Sequence, residues 1–325
     1  MKGKRMADCC IGIDLGGTFI KFIAADRRGR LAAPLQLPTP VDKGADGVAD
    51  QMAAGVRQLM AAGSLAAGDV LGVGIGSPGP LKISEGIVVA TPNIPGMANA
   101  PLVKMVGERL GIPAVLENDA NAAALGEYTY AGRDGDMVML TLGTGIGSGI
   151  ILGGKILHGR HEMGAELGHI IIVPDGELCG CGQRGCLERY CSATHMAKRT
   201  MRRLKQPGAR SSLKDVLDRK GAIDSKDIQD AWKAGDKLAG EAWDECMYYL
   251  AIGCVSICRI FDPDDIVLAG GMTKAGDDLM EPLMKHFTRL HWSITPTLTK
   301  ISFARLGNDA GAMGAAAVAW QKFGK

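Results

Sequence analysis

CIGIDLGGTFIKFIAA, from Cys10 to Ala25, is apolar and β-branched on both sides of Gly16 and Gly17. Such a run reads as a strand, a glycine turn and a second strand, because β-branched side chains suit a pleated surface and glycine suits the turn. MVMLTLGTGIGSGIIL, from Met137 to Leu152, repeats the pattern around its own glycines. Two copies of one strand–turn–strand unit predict an α/β chain of two similar lobes. The smaller N-terminal lobe is expected to take residues 1–120 plus 309–325, and the larger C-terminal lobe residues 121–308.

Working outward, Leu31 to Leu37 is expected to add a strand, and Gly47 to Ala62 has helical spacing of Val48, Met52, Val56, Leu59 and Met60. Val70 to Ile75 reads as a buried strand running into the turn SPGP. Ala114 to Leu116 reads as another, with Asn118 and Asp119 opening a helix to about Tyr130. Residues 195–235 turn charged and predict a solvated helical insertion. Glu241 to Phe261 reads as a buried helix, Asp265 to Leu268 as a strand ending in GGM, and Asp309 to Phe323 as a small-residue helix that packs back on the first lobe.

The composition narrows the function classes. Lysine and arginine number 37 against 35 acidic residues, a net charge of +2 with no basic tract, so neither nucleic acid nor a membrane surface is expected as a partner. The uncharged window Met137 to Gly154 holds six glycines, and Gly86 to Val103 is broken by Pro92, Pro95 and Pro101, so neither reads as a membrane helix. Nine cysteines with no regular framework point to reduced thiols and a cytoplasmic location.

Three of those cysteines have another use. CGCGQRGCLE, Cys179 to Glu188, begins ten residues after His169, which ends the segment EMGAELGH. Cys179, Cys181, Cys186 and His169 make the Cys3His set of a tetrahedral structural zinc site, with no position left for a catalytic water. Interleaved glycines allow so short a loop to fold around one ion. The competing reading is a group of free or redox-active thiols.

If zinc is structural, catalysis must lie with the carboxylates and glycine turns. In DLGGT, Asp14 is placed to hold Mg2+, and Gly16, Gly17 and Thr18 to approach phosphate oxygens, with Lys21 on the strand that follows. This is no Walker A loop, since its lysine and following helix are missing. Thr144 and Gly145 in GTGIGSG form a second such turn, and together the two would clamp a nucleotide. Gly270 and Gly271 in AGGM offer bare backbone to an adenine or ribose, or simply turn a strand into a helix. Asp119, in ENDAN, reads alone as a helix N-cap; beside the other motifs it reads as a general base, with Asn118 fixing a substrate hydroxyl. Glu166, His169 and Glu188, pinned around one metal, would accept sugar hydroxyls. The turn around Gly79, and Asn93 between two prolines, would wall the same pocket or serve only as loops.

Taken together, DLGGT, SPGP, NIPG, ENDAN, LGTGIGSG, ExGH, CxCGxxGCxE and GGM resemble the ROK family of repressors and kinases, over essentially the whole chain. The resemblance implies a two-lobed actin-like, hexokinase-like (ribonuclease H-like) fold with an interlobe cleft that holds MgATP and a hexose. Within the family the chain looks most like an ATP-dependent glucokinase. The resemblance also implies Asp119 as base, Asn118, Glu166, His169 and Glu188 on the sugar with Gly79 and Asn93 nearby, zinc on the Cys3His set, and a homodimer or homotetramer. The chain departs from the pattern at Met97, where glucokinase-like members often carry an aromatic residue. Other hexoses, or N-acetylhexosamines such as N-acetylmannosamine, are alternative acceptors. A sugar-sensing repressor is the competing class, for which the few residues ahead of DLGGT leave no room for a helix-turn-helix.

Overall fold

Cys9–Leu15 (β1) and Phe19–Asp26 (β2) form the expected antiparallel hairpin in the computed structural model, which describes residues 8–91 and 94–324. The next strand differs from its expected place. Instead of one strand over Leu31 to Leu37, the chain makes the short Gly29–Arg30 (β3) and then Leu35–Pro38 (β4), both paired with β2. Pro34 explains the gap: it has no N–H for a ladder, and it restricts the backbone of Ala33.

Gly44–Ala62 (α1) follows, burying Val48, Met52, Val56 and Leu59. Val70–Ser77 (β5) lies parallel to β1, and after the small hairpin of Leu81–Lys82 (β6) and Ile87–Val88 (β7) comes Leu102–Leu110 (α2). Ala114–Asn118 (β8) then pairs parallel with β5, giving the sheet order β3-β2-β1-β5-β8, and Asp119–Tyr130 (α3) leaves its end.

Met137–Leu142 (β9) and Ile146–Leu152 (β10) flank the second glycine turn, and Lys155–Ile156 (β11) folds back on β10. Glu188–Cys191 (α4), Ala193–Leu204 (α5), Leu213–Lys220 (α6) and Ser225–Lys233 (α7) precede the long helix Lys237–Phe261 (α8), where Cys246, Cys254 and Cys258 are buried. Asp265–Ala269 (β12) runs parallel to β9 on one side and to Lys300–Phe303 (β13) on the other. Asp277–Leu290 (α9) lies between β12 and β13, and Ala310–Phe323 (α10) ends the chain. Pro282 sits inside α9 and cannot donate to the carbonyl of Asp278; Trp243 Nε1 donates to it instead, at 2.8 Å.

These elements group into two compact units. The first holds the described residues up to Asp134, Gly149–Ala165 and the chain from Arg305 on; the second holds Gly135–Ser148 and Glu166–Ala304. In the first unit α10 packs on α3, β1 and β5, backbone against backbone. A Cβ at Gly314 would stand 1.6 Å from the Ala122 carbonyl oxygen, and one at Gly74 would stand 1.8 Å from that of Ala315. Within this unit the fully buried Glu127 of α3 accepts from the backbone N–H groups of Arg305 (2.9 Å) and Leu306 (3.0 Å) and from the Arg133 guanidinium (2.9 Å). Among the described residues no helix is long and apolar enough to cross a membrane.

Candidate functional site

In the first unit, Asp14 stands near the end of β1, just before a turn closed by Gly16 N–H donating to the Phe19 carbonyl (3.0 Å). Gly16 therefore uses its N–H within the turn, and a side chain there would press on that same carbonyl, 2.8 Å away. Thr39 fastens the turn from outside, its hydroxyl donating to Gly16 O at 2.7 Å and its N–H to Thr18 O at 2.9 Å. Thr18 is exposed. Lys21 pairs in register with Asp14, donates to the Asn308 carbonyl and lies 3.7 Å from Asp309.

β8 delivers Asn118 and Asp119 to the same unit. Asn118, rather than Asp119, is the helix cap: its Oδ1 accepts from the N–H groups of Ala120 (3.0 Å) and Asn121 (3.2 Å). Asp119 is the first helical residue, and its Oδ1 accepts from Ala120 N at 2.8 Å. The carboxyl of Asp119 lies close enough to that of Asp14 for its charge to act on it. Burial first, and the negative charge of Asp119 second, push Asp14 up to about 6, with Lys21 opposing. Burial also raises Asp119 above the usual carboxylate range, against the hydrogen bonds that favour its charged form. Two carboxyls held together in this way are suited to a cation or a proton acceptor, depending on which one has ionised.

Gly79, after β5, has φ +94° and leaves no room for a side chain, with the Ala90 carbonyl oxygen 2.1 Å from where a Cβ would lie. Asn93 lies outside the described residues. Met97 is 1 % exposed in the apolar core with Ile94, Ala100 and Leu102, so it shapes its loop from inside.

In the second unit, the turn Gly143–Gly145 is closed by Gly143 N–H donating to Gly145 O at 3.0 Å, with Thr144 exposed at its tip. Glu188 opens α4 beneath this turn: its Oε2 accepts from Ile146 N at 3.0 Å, while Oε1 lies 4.0 Å from Cys179 Sγ. One carboxylate thus joins the glycine turn to the cysteine loop. Glu166 is exposed, and its carbonyl accepts from His169 N at 3.0 Å.

The ligand atoms of His169, Cys179, Cys181 and Cys186 all lie within 4.8 Å of one another. His169 Nδ1 is 3.6 Å from Cys179 Sγ, and Cys181 Sγ is 3.7 Å from Cys186 Sγ. Zn–S bonds of about 2.3 Å and Zn–N bonds of about 2.0 Å at tetrahedral angles imply edges of roughly 3.5–3.8 Å. The donor set and its spacing fit a tetrahedral metal ion. The loop is held independently by Cys179 N–H donating to Gln183 O (2.7 Å), and by Gly185, whose φ of +81° and close approach to Val173 O admit no side chain.

Gly270 has φ +93°, and a Cβ there would meet the Leu142 backbone at 2.5 Å, so its identity has a packing cause. Gly271 has open space around it and lines a pocket of about 570 Å³ with Met272, Lys274, Gln229, Lys233 and Trp243. Sequence reading missed the pair of Glu117, which accepts from Asn118 N, and His158, which meets Glu117. Glu117 is 2 % exposed and lies 2.7 Å from His158 Nε2. The available signal was a carboxylate at an inward position of the apolar strand AVLEN.

A model described as the ROK family matches residues 10–322. The chain belongs to the ROK family. It is 34 % identical over 307 residues to a glucokinase of Halalkalibacterium halodurans, covering 94 % of this chain and 92 % of that protein. The crystal structure of a ROK hexokinase from Thermus thermophilus superimposes with a TM-score of 0.86 at 32 % identity, over 97 % of this chain and 98 % of the other. A ROK glucokinase from Streptomyces griseus, solved in complex with glucose and AMPPNP, gives 0.76 at 34 % identity over 96 % and 99 %. The two-lobed actin-like fold class expected from the sequence is that of these ROK kinases.

Proposed function

We propose that this ROK sugar kinase transfers the γ-phosphoryl group of ATP to a hexose hydroxyl, with glucose as the acceptor and its 6-hydroxyl as the attacking group. What supports the reading is the placement of Asp119 at the head of α3 and of Asp14 near the end of β1, before the glycine turn, in a chain 34 % identical to a glucokinase solved with glucose and AMPPNP.

Asp119 is the general base. Its carboxylate takes the proton of the attacking hydroxyl as that oxygen closes on the γ-phosphorus and the bond to the β-phosphate oxygen breaks. Held by the cap at the head of α3, it needs no reorganisation at that moment. Asn118, Glu166, His169 and Glu188 hold the sugar hydroxyls, with Gly79 and Asn93 beside them. Gly17, Thr18, Lys21, Thr144, Gly145, Gly270 and Gly271 contact the nucleotide, and Gly16 shapes the first turn. Asp14 would hold Mg2+, whose charge would offset that of the transferring group. Zinc would sit on His169 Nδ1 and the three thiolates, fixing the loop that carries Glu188 and leaving His169 Nε2 for the substrate. A cytoplasmic homo-oligomer completes the reading.

The test is ATP- and Mg2+-dependent ADP formation against a panel of hexoses and N-acetylhexosamines. The highest kcat/KM is expected with glucose. Preference for an N-acetylhexosamine would reassign the acceptor, and absence of turnover from folded, metal-loaded protein would refute the kinase reading. Metal analysis of protein purified under reducing conditions should find one zinc per chain.

A further inference from the structure

Glu117 is a carboxylate in the interior of the first unit that the reaction above does not use. Its Oε1 accepts from Asn118 N (2.9 Å) and from Asn121 Nδ2 (3.0 Å), while Oε2 faces His158 Nε2 at 2.7 Å. The partners come from three places: the end of β8, the first turn of α3 and the loop after β11. Asn121 Oδ1 is buried without a partner, so Glu117 is what orients that amide. A carboxylate left alone in such a place is costly to bury, and His158 supplies a ring nitrogen partner that carries a countercharge when protonated. Glu117 in turn raises the His158 imidazole above its ordinary value, with Glu162 adding to the effect and burial opposing it.

His158 also founds its own loop. Its carbonyl accepts from Gly164 N at 2.9 Å, and Glu162 Oε1 accepts from Ser84 N at 3.0 Å, between β6 and β7. Glu162 and Ala165 are held at φ of 57° and 66°, uncommon for residues with side chains. The next residue along the chain is Glu166.

We propose that Glu117 and His158 form a positioning pair that fixes Asn118 and Asp119 at the head of α3 by tying them to the loop that leads to Glu166. The inference rests on the assignment of Asp119 as base. Neither residue touches substrate in this account; both act through Asp119 and its cap.

The experiment compares His158→Leu, His158→Gln and Glu117→Gln with the wild type in the full chain. It measures kcat and KM with the best acceptor of the panel, thermal midpoint, and amide hydrogen exchange over residues 114–125. A glutamine amide can place a donor where Nε2 stood, so His158→Gln keeps the tie and His158→Leu breaks it. In His158→Leu, kcat should fall by about 10²-fold, the scale of an ångström's misplacement, with acceptor KM little changed and faster exchange at Asn118. Glu117→Gln should fall between it and the wild type, and His158→Gln should recover most of kcat. Unchanged kcat in His158→Leu would overturn the proposal, as would a loss that tracks the thermal midpoint and is not recovered by glutamine. If the wild type turns over no acceptor, the kinase reading fails by itself. The exchange data then decide alone: faster exchange at Asn118 in the leucine but not the glutamine variant supports the tie, and equal exchange in all refutes it.

Discussion

The proposed function gives Asp119 and Asp14 different tasks, and the titration of Asp14 offers a test of its own. Asp14 has a folded-state value of about 6, above the ordinary 3.8. The folded chain therefore holds this proton more tightly than the unfolded chain. The stability it contributes is present at low pH and is lost as pH rises through about 6. A cation on the ionised carboxylate would restore it. Thermal midpoints should accordingly show Mg2+ stabilising the protein at pH 7.5 and not at pH 5, and Asp14→Asn should abolish the difference. Mg2+ stabilisation that is equal at both pH values would count against Asp14 as its ligand. Cysteine spacing made the Cys3His cluster legible, because ligand types and glycines are local in sequence. Replacing Cys181 with serine should remove the metal while Asp119→Asn leaves it in place, as elemental analysis would show. The Glu117–His158 pair was not legible, since it joins residues 41 apart and nothing near either names the other.

The close contacts between elements are also where substitution should matter most. Glu127 holds three donors from outside α3, so Glu127→Ala removes the carboxylate shared by the Arg133 guanidinium and two backbone N–H groups. Breaking a buried pair of this kind destabilises by about 3–5 kcal/mol, measurable by denaturant unfolding. At Gly314 a methyl group would enter the backbone of α3, and such overpacking costs about 1–3 kcal/mol. A Gly314→Ala variant as stable as the wild type would refute the close approach of α10 to α3. Strands and helices were legible from local signals: apolar β-branched runs for β1, β2 and β5, helical spacing for α1, the Asn118–Asp119 opening for α3, and apolar or small-residue runs for α8 and α10. All of these stand within a few residues of their expected places. Leu31 to Leu37 misled because an apolar run conceals what Pro34 does to a ladder. α2 went unread because it starts directly after Pro101, in a stretch where prolines argued against helix.

At the scale of the molecule, the repeated strand–turn–strand pattern announced two units, while their limits left no mark in composition. The chain passes from one unit to the other at residues 134–135, 148–149, 165–166 and 304–305, and the second of these passages lies inside the single strand β10. No linker composition is needed where a strand itself makes the passage. The same dispersal explains why function was legible chiefly through motifs, several of them weak alone, taken together with the more specific cysteine segment. The central claim of the proposed function is that Asp119 removes a proton from a sugar hydroxyl as ATP gives up its γ-phosphoryl group. The direct test is the turnover of Asp119→Asn beside its glucose affinity, measured by calorimetry. A loss of at least about 10²-fold in kcat, with glucose binding and metal content preserved, is the predicted result; turnover close to that of the wild type would contradict the account.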